Sequence, residues 1–230
     1  MTHCAAAWCA TSAHAPEMLL PRAFASDDLR RLDALITADP FITLVTTDDD
    51  GAPIATQVPV LYLRDGDDVM IEGHWARTNP QAAHHGRPAL LIVHGPHAYV
   101  SAGWYPDNAE QARVPTWNYS TAHLHGVLEG FDDEDALIDL LARTSERFES
   151  GVGGDWRFDP DNPAERSQVR GISGFRLRPS RIQIKDKLSQ NHPRANRAAV
   201  IARLEQQDDA GARQIAHLMQ HTLEDTDDAT

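Results

Sequence analysis

The stretch PFITLVTTDDDGAPIATQVPVLYL (40–63) decides the fold class. Phe41 to Thr47 is apolar and β-branched, and Ile54 to Leu63 is a second run of the same kind. DDDG (48–51) between them has the acidic and glycine residues of a hairpin turn, so the two runs predict an antiparallel pair. Pro59 lies inside the second run. Proline has no N–H to give a ladder, so that edge is expected to be open or to face something other than a strand, a ligand or a bulge.

Working outward, Ser26 to Ala38 reads as a helix with Asp27 and Asp28 in its first turn and Leu29, Leu32 and Ile36 on one face. RDGDD (64–68) turns again into a third strand, Val69 to Gly73, and Asn79-Pro80 opens a short helix through His84. Ala89–His94 and Ala98–Ala102 predict two strands broken at Gly95-Pro96. Trp117 to Phe131 predicts one long strand, Glu134 to Phe148 an amphipathic helix, and residues 149–164 a loop. A last strand runs from Phe175 to Ile184, and two helices close the chain before the acidic tail EDTDDAT (224–230). Strands joined by tight turns, with helices inserted late, predict a mainly β, α+β protein built on a small barrel. There is no strand–helix alternation, no GxGxxG and no GxxxxGK[ST], which excludes Rossmann and P-loop readings.

The 230 residues include 34 acidic and 21 basic side chains, a net charge of −13. Such a field repels DNA and anionic membranes over most of the surface. Only Cys4 and Cys9 occur, both near the N-terminus, so no cysteine cross-link or cysteine-ligated metal holds the fold, as expected of a cytoplasmic protein. MTHCAAAWCATSAHA lacks the basic and apolar regions of a signal peptide; residues 1–17 are expected to be a disordered leader, with Met18 a second candidate start. No run is long enough to span a membrane.

Five segments could carry chemistry. In GHWARTNPQ (73–81), Arg77 and Thr78 stand just before a helix, where a guanidinium, a hydroxyl and free N–H groups could hold an anion; a capped helix with a surface arginine is the plainer alternative. PIATQVPVLYL (53–63) could let a flat ring approach its backbone, or be an ordinary buried strand. GPHAYVSAGWYPDN (95–108) and VPTWNYSTAHLHG (114–126) concentrate Trp104, Tyr105, Trp117 and Tyr119, a pattern shared by cores, interfaces and ring-stacking sites. His123 and His125 point to one face of a strand, with His94 and His97 near in sequence. Histidine pairs without a carboxylate partner do not define a metal site, and none is assigned. IKDKLSQNHPRANR (184–197) holds both lysines of the chain, Lys185 and Lys187, with Arg194 and Arg197; it could reach a phosphate or nucleic acid, or be a strand end and helix start.

Taken together, LVTTDDDGAPIATQVPV, GHWARTNPQ, GPHAYVSAGWY, VPTWNY, GISGF and KLSQN, in this order, resemble the PaiB family of FMN-binding negative transcriptional regulators. The resemblance runs from about Met18 to Leu223. It implies an FMN-binding split β-barrel of Greek-key type over 18–190, a C-terminal helical extension over 191–223, and a homodimer with FMN at the subunit interface. It places Arg77 and Thr78 at the FMN phosphate, Gln57, Val58 and Pro59 on the strand along the ring, and His74 and Trp75 beside it. Trp117 and Asn118 approach from the second subunit, and Lys187, Ser189 and Asn191 carry the KLSQN signature. Two residues depart from the family pattern, Gln57 for a histidine and Gly103 for a serine. The function implied is a flavin-linked regulator. The alternatives are an FMN-dependent oxidoreductase, with His74 or Tyr105 near the reactive edge, and a haem-binding or haem-degrading protein resting on the histidines. No helix-turn-helix pattern supports DNA contact.

Overall fold

A computed structural model describes residues 18–227, with side chains through Glu224. The leader expected over 1–17 and the last residues of the acidic tail lie outside this range. Nine strands and five helices follow in order: β1 (Ala25–Ser26), α1 (Leu29–Ala38), β2 (Phe41–Thr47), β3 (Pro53–Asp65), β4 (Asp68–Ala76), β5 (Pro88–Val100), β6 (Thr116–Val127), β7 (Glu129–Phe131), α2 (Glu134–Val152), α3 (Pro163–Gln168), β8 (Ile172–Leu177), β9 (Pro179–Lys187), α4 (Arg194–Glu205) and α5 (Ala210–Asp227). Asp28 is the N-cap of α1 rather than part of its first turn; its carboxylate accepts from Arg30 N.

All pairings are antiparallel, and the strand order is β1-β9-β6-β5-β2-β3-β4-β8-β7. Strands β2, β3 and β4 form consecutive hairpins, and β5 returns to lie beside β2. That is the Greek-key arrangement. The chain folds as a split β-barrel with helices.

Three boundaries differ from those expected. Gly95-Pro96 does not end a strand; β5 is continuous and carries a bulge between His94 and His97. Glycine is required there, because a Cβ at 95 would lie 2.5 Å from Leu35 Cδ2 and 2.6 Å from Ser120 O. The run 117–131 divides at Leu128, between β6, which pairs with β5 and β9, and β7, which pairs with β8. The run 175–184 divides at Arg178, and β8 and β9 stand far apart in the strand order. Pro179, at the first position of β9, is where a strand tolerates a missing N–H.

Two cores form. The barrel core gathers alternate residues of the strands, among them Leu44, Ile71, Leu91, Leu124 and Phe175, under α1. The second core packs Val200, Leu204, Ile215 and Met219 of α4 and α5 against Ala98, Val100, Tyr105 and Leu188. The C-terminal helices are thus seated on the far end of β5.

Candidate functional site

The barrel opens where β3 and β4 part. Their pairing runs from Asp65–Asp68 to Val60–Gly73 and stops there; beyond Gly73, β4 pairs only with β8. Val60 N donates to Pro40 O, which fixes the alternation along β3. Gln57 and Pro59 accordingly direct their backbone groups away from β2, toward the gap. Pro59 O lies 3.1 Å from where a Cβ on Gly73 would stand. The proline therefore occupies an edge that has no ladder to break.

The far side of the gap is formed by the turn after β4. Asn79 caps it through Gln81 N and donates its Nδ2 to Thr56 Oγ1 at 3.0 Å. Gln81, fully buried, donates from Nε2 to Thr46 Oγ1 at 2.9 Å and Ile54 O at 3.2 Å. Neither residue was among the expected site positions. The Asn-Pro cap was legible as a helix start, but nothing in the sequence marks a glutamine as buried.

The twelve expected residues fall into two groups. Gln57, Pro59, His74 and Thr78 have side chains at or beside the gap that are exposed or half-buried. Val58 and Trp75 point the other way, into the barrel core, and Trp75 stacks on Phe175 at 4.5 Å. Their side chains are core, and their backbone groups are turned to β2 and to β8 respectively, so neither residue lines the gap. The Arg77 guanidinium is engaged by the protein: Nε donates to Arg170 O at 2.9 Å, Nη2 donates to Ile172 O at 2.8 Å, and Nη1 lies 3.1 Å from Asp132. Thr78 is exposed beside this turn, which Asn79 caps.

The second group sits where β6 meets β9, three strands from β3. Trp117 is half exposed, with edge contact to Tyr99 at 5.9 Å. Asn118 is fully buried; its Nδ2 donates to Ser189 Oγ at 3.0 Å and to Met219 Sδ at 3.3 Å. Ser189 has φ 63°, a left-handed conformation held by this contact. Lys187 Nζ donates to Thr116 Oγ1 and Trp117 O, both at 2.6 Å, and burial, with Lys185 nearby, holds its pKa below the usual value. Asn191 is exposed in the following turn. KLSQN therefore seats the C-terminal helices on β6, and one chain does not bring this group to the gap.

His123 and His125 lie on the outer face of β6 with ring centroids 6.4 Å apart, and His94 bonds Thr43 Oγ1 at 3.0 Å. Among the described residues, no group of three or more histidines, cysteines or carboxylates is arranged to hold a metal. Burial lowers the pKa of His74, His123 and His192. The unfolded chain, with histidines at 6.5, then binds more protons than the fold. Stability is present above that pH and falls as pH drops through 6.5 toward the folded values. Urea midpoints at pH 7.5 and 5.5 should differ in that direction.

A cleft of 1120 Å³ shares none of the twelve residues; it lies between α1, the β5 bulge and α5, lined by Arg31, Pro96, His97, Arg213 and His217 among others.

A sequence family described as "Putative FMN-binding domain" matches residues 18–181. The protease synthase and sporulation protein PAI 2 of Bacillus subtilis is 32% identical over 209 residues, covering 90% of this chain and 98% of that protein. This chain belongs to the PaiB family of FMN-binding domains. An uncharacterized protein of Aspergillus fumigatus is 29% identical, covering 57% of the chain and 64% of its own length. Among solved structures, the FAD and heme binding protein from Mycobacterium smegmatis aligns with TM-score 0.54 at 23% identity, covering 71% of this chain and 73% of that one. The flavocytochrome Anf3 from Azotobacter vinelandii aligns with TM-score 0.50 at 18% identity, covering 71% and 69%. These two likenesses are of fold.

FMN is the cofactor of this PaiB-family chain, and the open backbone edge of Gln57 and Pro59 fits it. A flat ring can take backbone N–H and C=O groups there without displacing a ladder. Gly73 leaves no room for a side chain, because a Cβ would come within 2.6 Å of Phe175 Cζ in the core and 3.1 Å of Pro59 O, so any larger residue would displace Phe175 or the Pro59 edge. Gly73→Ala is expected to lower both the melting temperature and the amount of FMN retained after gel filtration. Undiminished retention would place the ring elsewhere.

Proposed function

We propose that this PaiB-family protein is a homodimeric FMN-dependent oxidoreductase acting on a small molecule, and that it does not contact DNA directly. The observation that carries this reading is the fate of the basic segment. Lys185 Nζ donates to Leu19 O at 2.7 Å and lies over the Tyr119 ring; Lys187 is bonded to Thr116 and Trp117. Arg197 is buried, and its Nη2 donates to Thr222 Oγ1. Cations held in this way offer phosphates little, and the rest of the chain is strongly acidic.

The second subunit is supported by bare aromatic rings. Phe41, cross-strand from Pro59, is 54% exposed, and Trp117 and Tyr99 are about as bare. Aromatic side chains on a continuous strand face are typical of interface cores. A partner whose Trp117 meets the gap would unite the two groups of site residues that one chain keeps apart.

FMN supplies hydride or single-electron exchange when bound. This chain's residues hold the ring against Gln57 and Pro59, and His74 keeps a largely neutral imidazole beside it. The test is the visible spectrum of protein loaded with FMN, followed anaerobically as NADH and candidate metabolites are added. Bleaching of the flavin band, with no retarded duplex in gel-shift assays, supports the oxidoreductase. A specific duplex retarded at moderate salt would establish the regulator reading instead. A Soret band after adding haemin would favour the haem reading.

A further inference from the structure

On the outer side of the C-terminal helical unit, α5 carries two histidines one turn apart. His217 and His221 face each other with Nε2 atoms 3.1 Å apart and ring planes 79° to one another. Neither belongs to the apolar core that α5 forms with α4. Glu224, one turn further on, places a carboxylate oxygen 3.7 Å from His221 Nδ1. His217 also lines the mouth of the large cleft.

We propose that His217 and His221 chelate a divalent transition-metal ion of the zinc class at the rim of this cleft. Ion–nitrogen bonds of about 2.0–2.1 Å to two nitrogens at this separation meet at about 100°, between octahedral and tetrahedral angles. The separation of the two nitrogens already suits a chelate, and rotation of the exposed imidazoles about their side-chain bonds turns both Nε2 lone pairs from each other toward a shared ion. Helix geometry sets this distance, since side chains four residues apart stand one above the other on one face.

The proton arrangement also suits a metal. Glu224 beside Nδ1 favours the tautomer of His221 that carries its proton there and leaves Nε2 bare. A carboxylate behind a ligating imidazole orients the ring and raises its basicity in the same way. His217 must move its own proton from Nε2 to Nδ1, which exchanges with water and leaves net charge unchanged. With two protein nitrogens, the remaining positions are filled by water or by a donor-bearing molecule in the cleft. Imidazole pairs of this kind select zinc, copper and nickel over magnesium and calcium.

The site does not depend on the flavin reading. The experiment is calorimetric titration of the full chain with Zn²⁺ alone, with His217→Ala, His221→Ala, Glu224→Gln and, as a control, His123→Ala. A site whose affinity falls at least about tenfold in either α5 histidine variant, and about tenfold in Glu224→Gln, supports the chelate with its carboxylate behind it. Thermal melting adds a second readout, because an ion that binds only the folded chain raises the midpoint in wild type and His123→Ala but not in the α5 variants. All three α5 positions are on the helix's outer face, so the variants are expected to fold. Zn²⁺ binding that survives both histidine substitutions undiminished, or a loss equally large in His123→Ala, overturns the assignment. So does the absence of any zinc-dependent heat or melting shift in the wild type.

Discussion

Glu72→Ala is expected to cost about 3 kcal/mol of folding stability, the lower end of what losing one partner of a buried ion pair costs. Glu72 lies on β4 and is 1% exposed. Its Oε1 accepts from Arg176 Nη2 at 2.8 Å and Nε at 3.1 Å, and its Oε2 accepts from Arg143 Nη1 at 2.7 Å. One carboxylate thus ties β4 to β8 and α2. Both arginines keep about a third of their side chains in water, so after the substitution they can turn outward and recover hydration, which is why the upper end of the range is not expected. Urea unfolding checks the figure. A loss below about 1 kcal/mol would mean that the pairs act as ordinary surface contacts. Removing either arginine alone should cost less, since the other still answers the buried charge.

The second large effect concerns Trp75. Trp75→Ala should destabilise the fold by about 3–5 kcal/mol, because it empties a large volume in a core that cannot close over it. Trp75→Phe preserves the stack on Phe175 and abandons no hydrogen bond, since the indole Nε1 has no partner among the described residues. It should therefore cost far less. The phenylalanine variant also separates core from site. With the indole facing the core, FMN affinity should stay within about twofold of wild type while stability moves. A collapse of FMN affinity with an unchanged melting curve would instead put the indole against the ring.

The fold was legible because its strands advertise themselves. Phe41–Thr47 matched β2 to the residue, since a β-branched run bounded by Pro40 and DDDG has little else it can do. The errors came where pairing partners changed inside a continuous β-rich run, at Leu128 and Arg178, because propensity reports a strand but not which neighbour it joins. Pro59 marks an open edge in sequence as in structure, because a missing N–H is a local fact with a non-local consequence. Side-chain direction was harder. The motif around Arg77 suggests an anion site, yet backbone carbonyls at Arg170 and Ile172, nearly a hundred positions away, claim the guanidinium. The Asn118–Ser189 contact likewise needed three dimensions, because its two halves are unremarkable polar residues when read separately.

The pairing of Ala25 with Lys185, and of Ser26 with Ile184, bears on how the chain reaches this state. β1 finds its strand partner only once β9 has been synthesised. During translation, the hairpins of β2, β3 and β4 can form early, but the edge of β6 waits for a strand that is still inside the ribosome. Closing so long a loop is slow and leaves apolar faces uncovered meanwhile. Yield of this protein at high expression temperature should therefore depend on holdase chaperones more than its final stability suggests, because this long-range strand pair closes late.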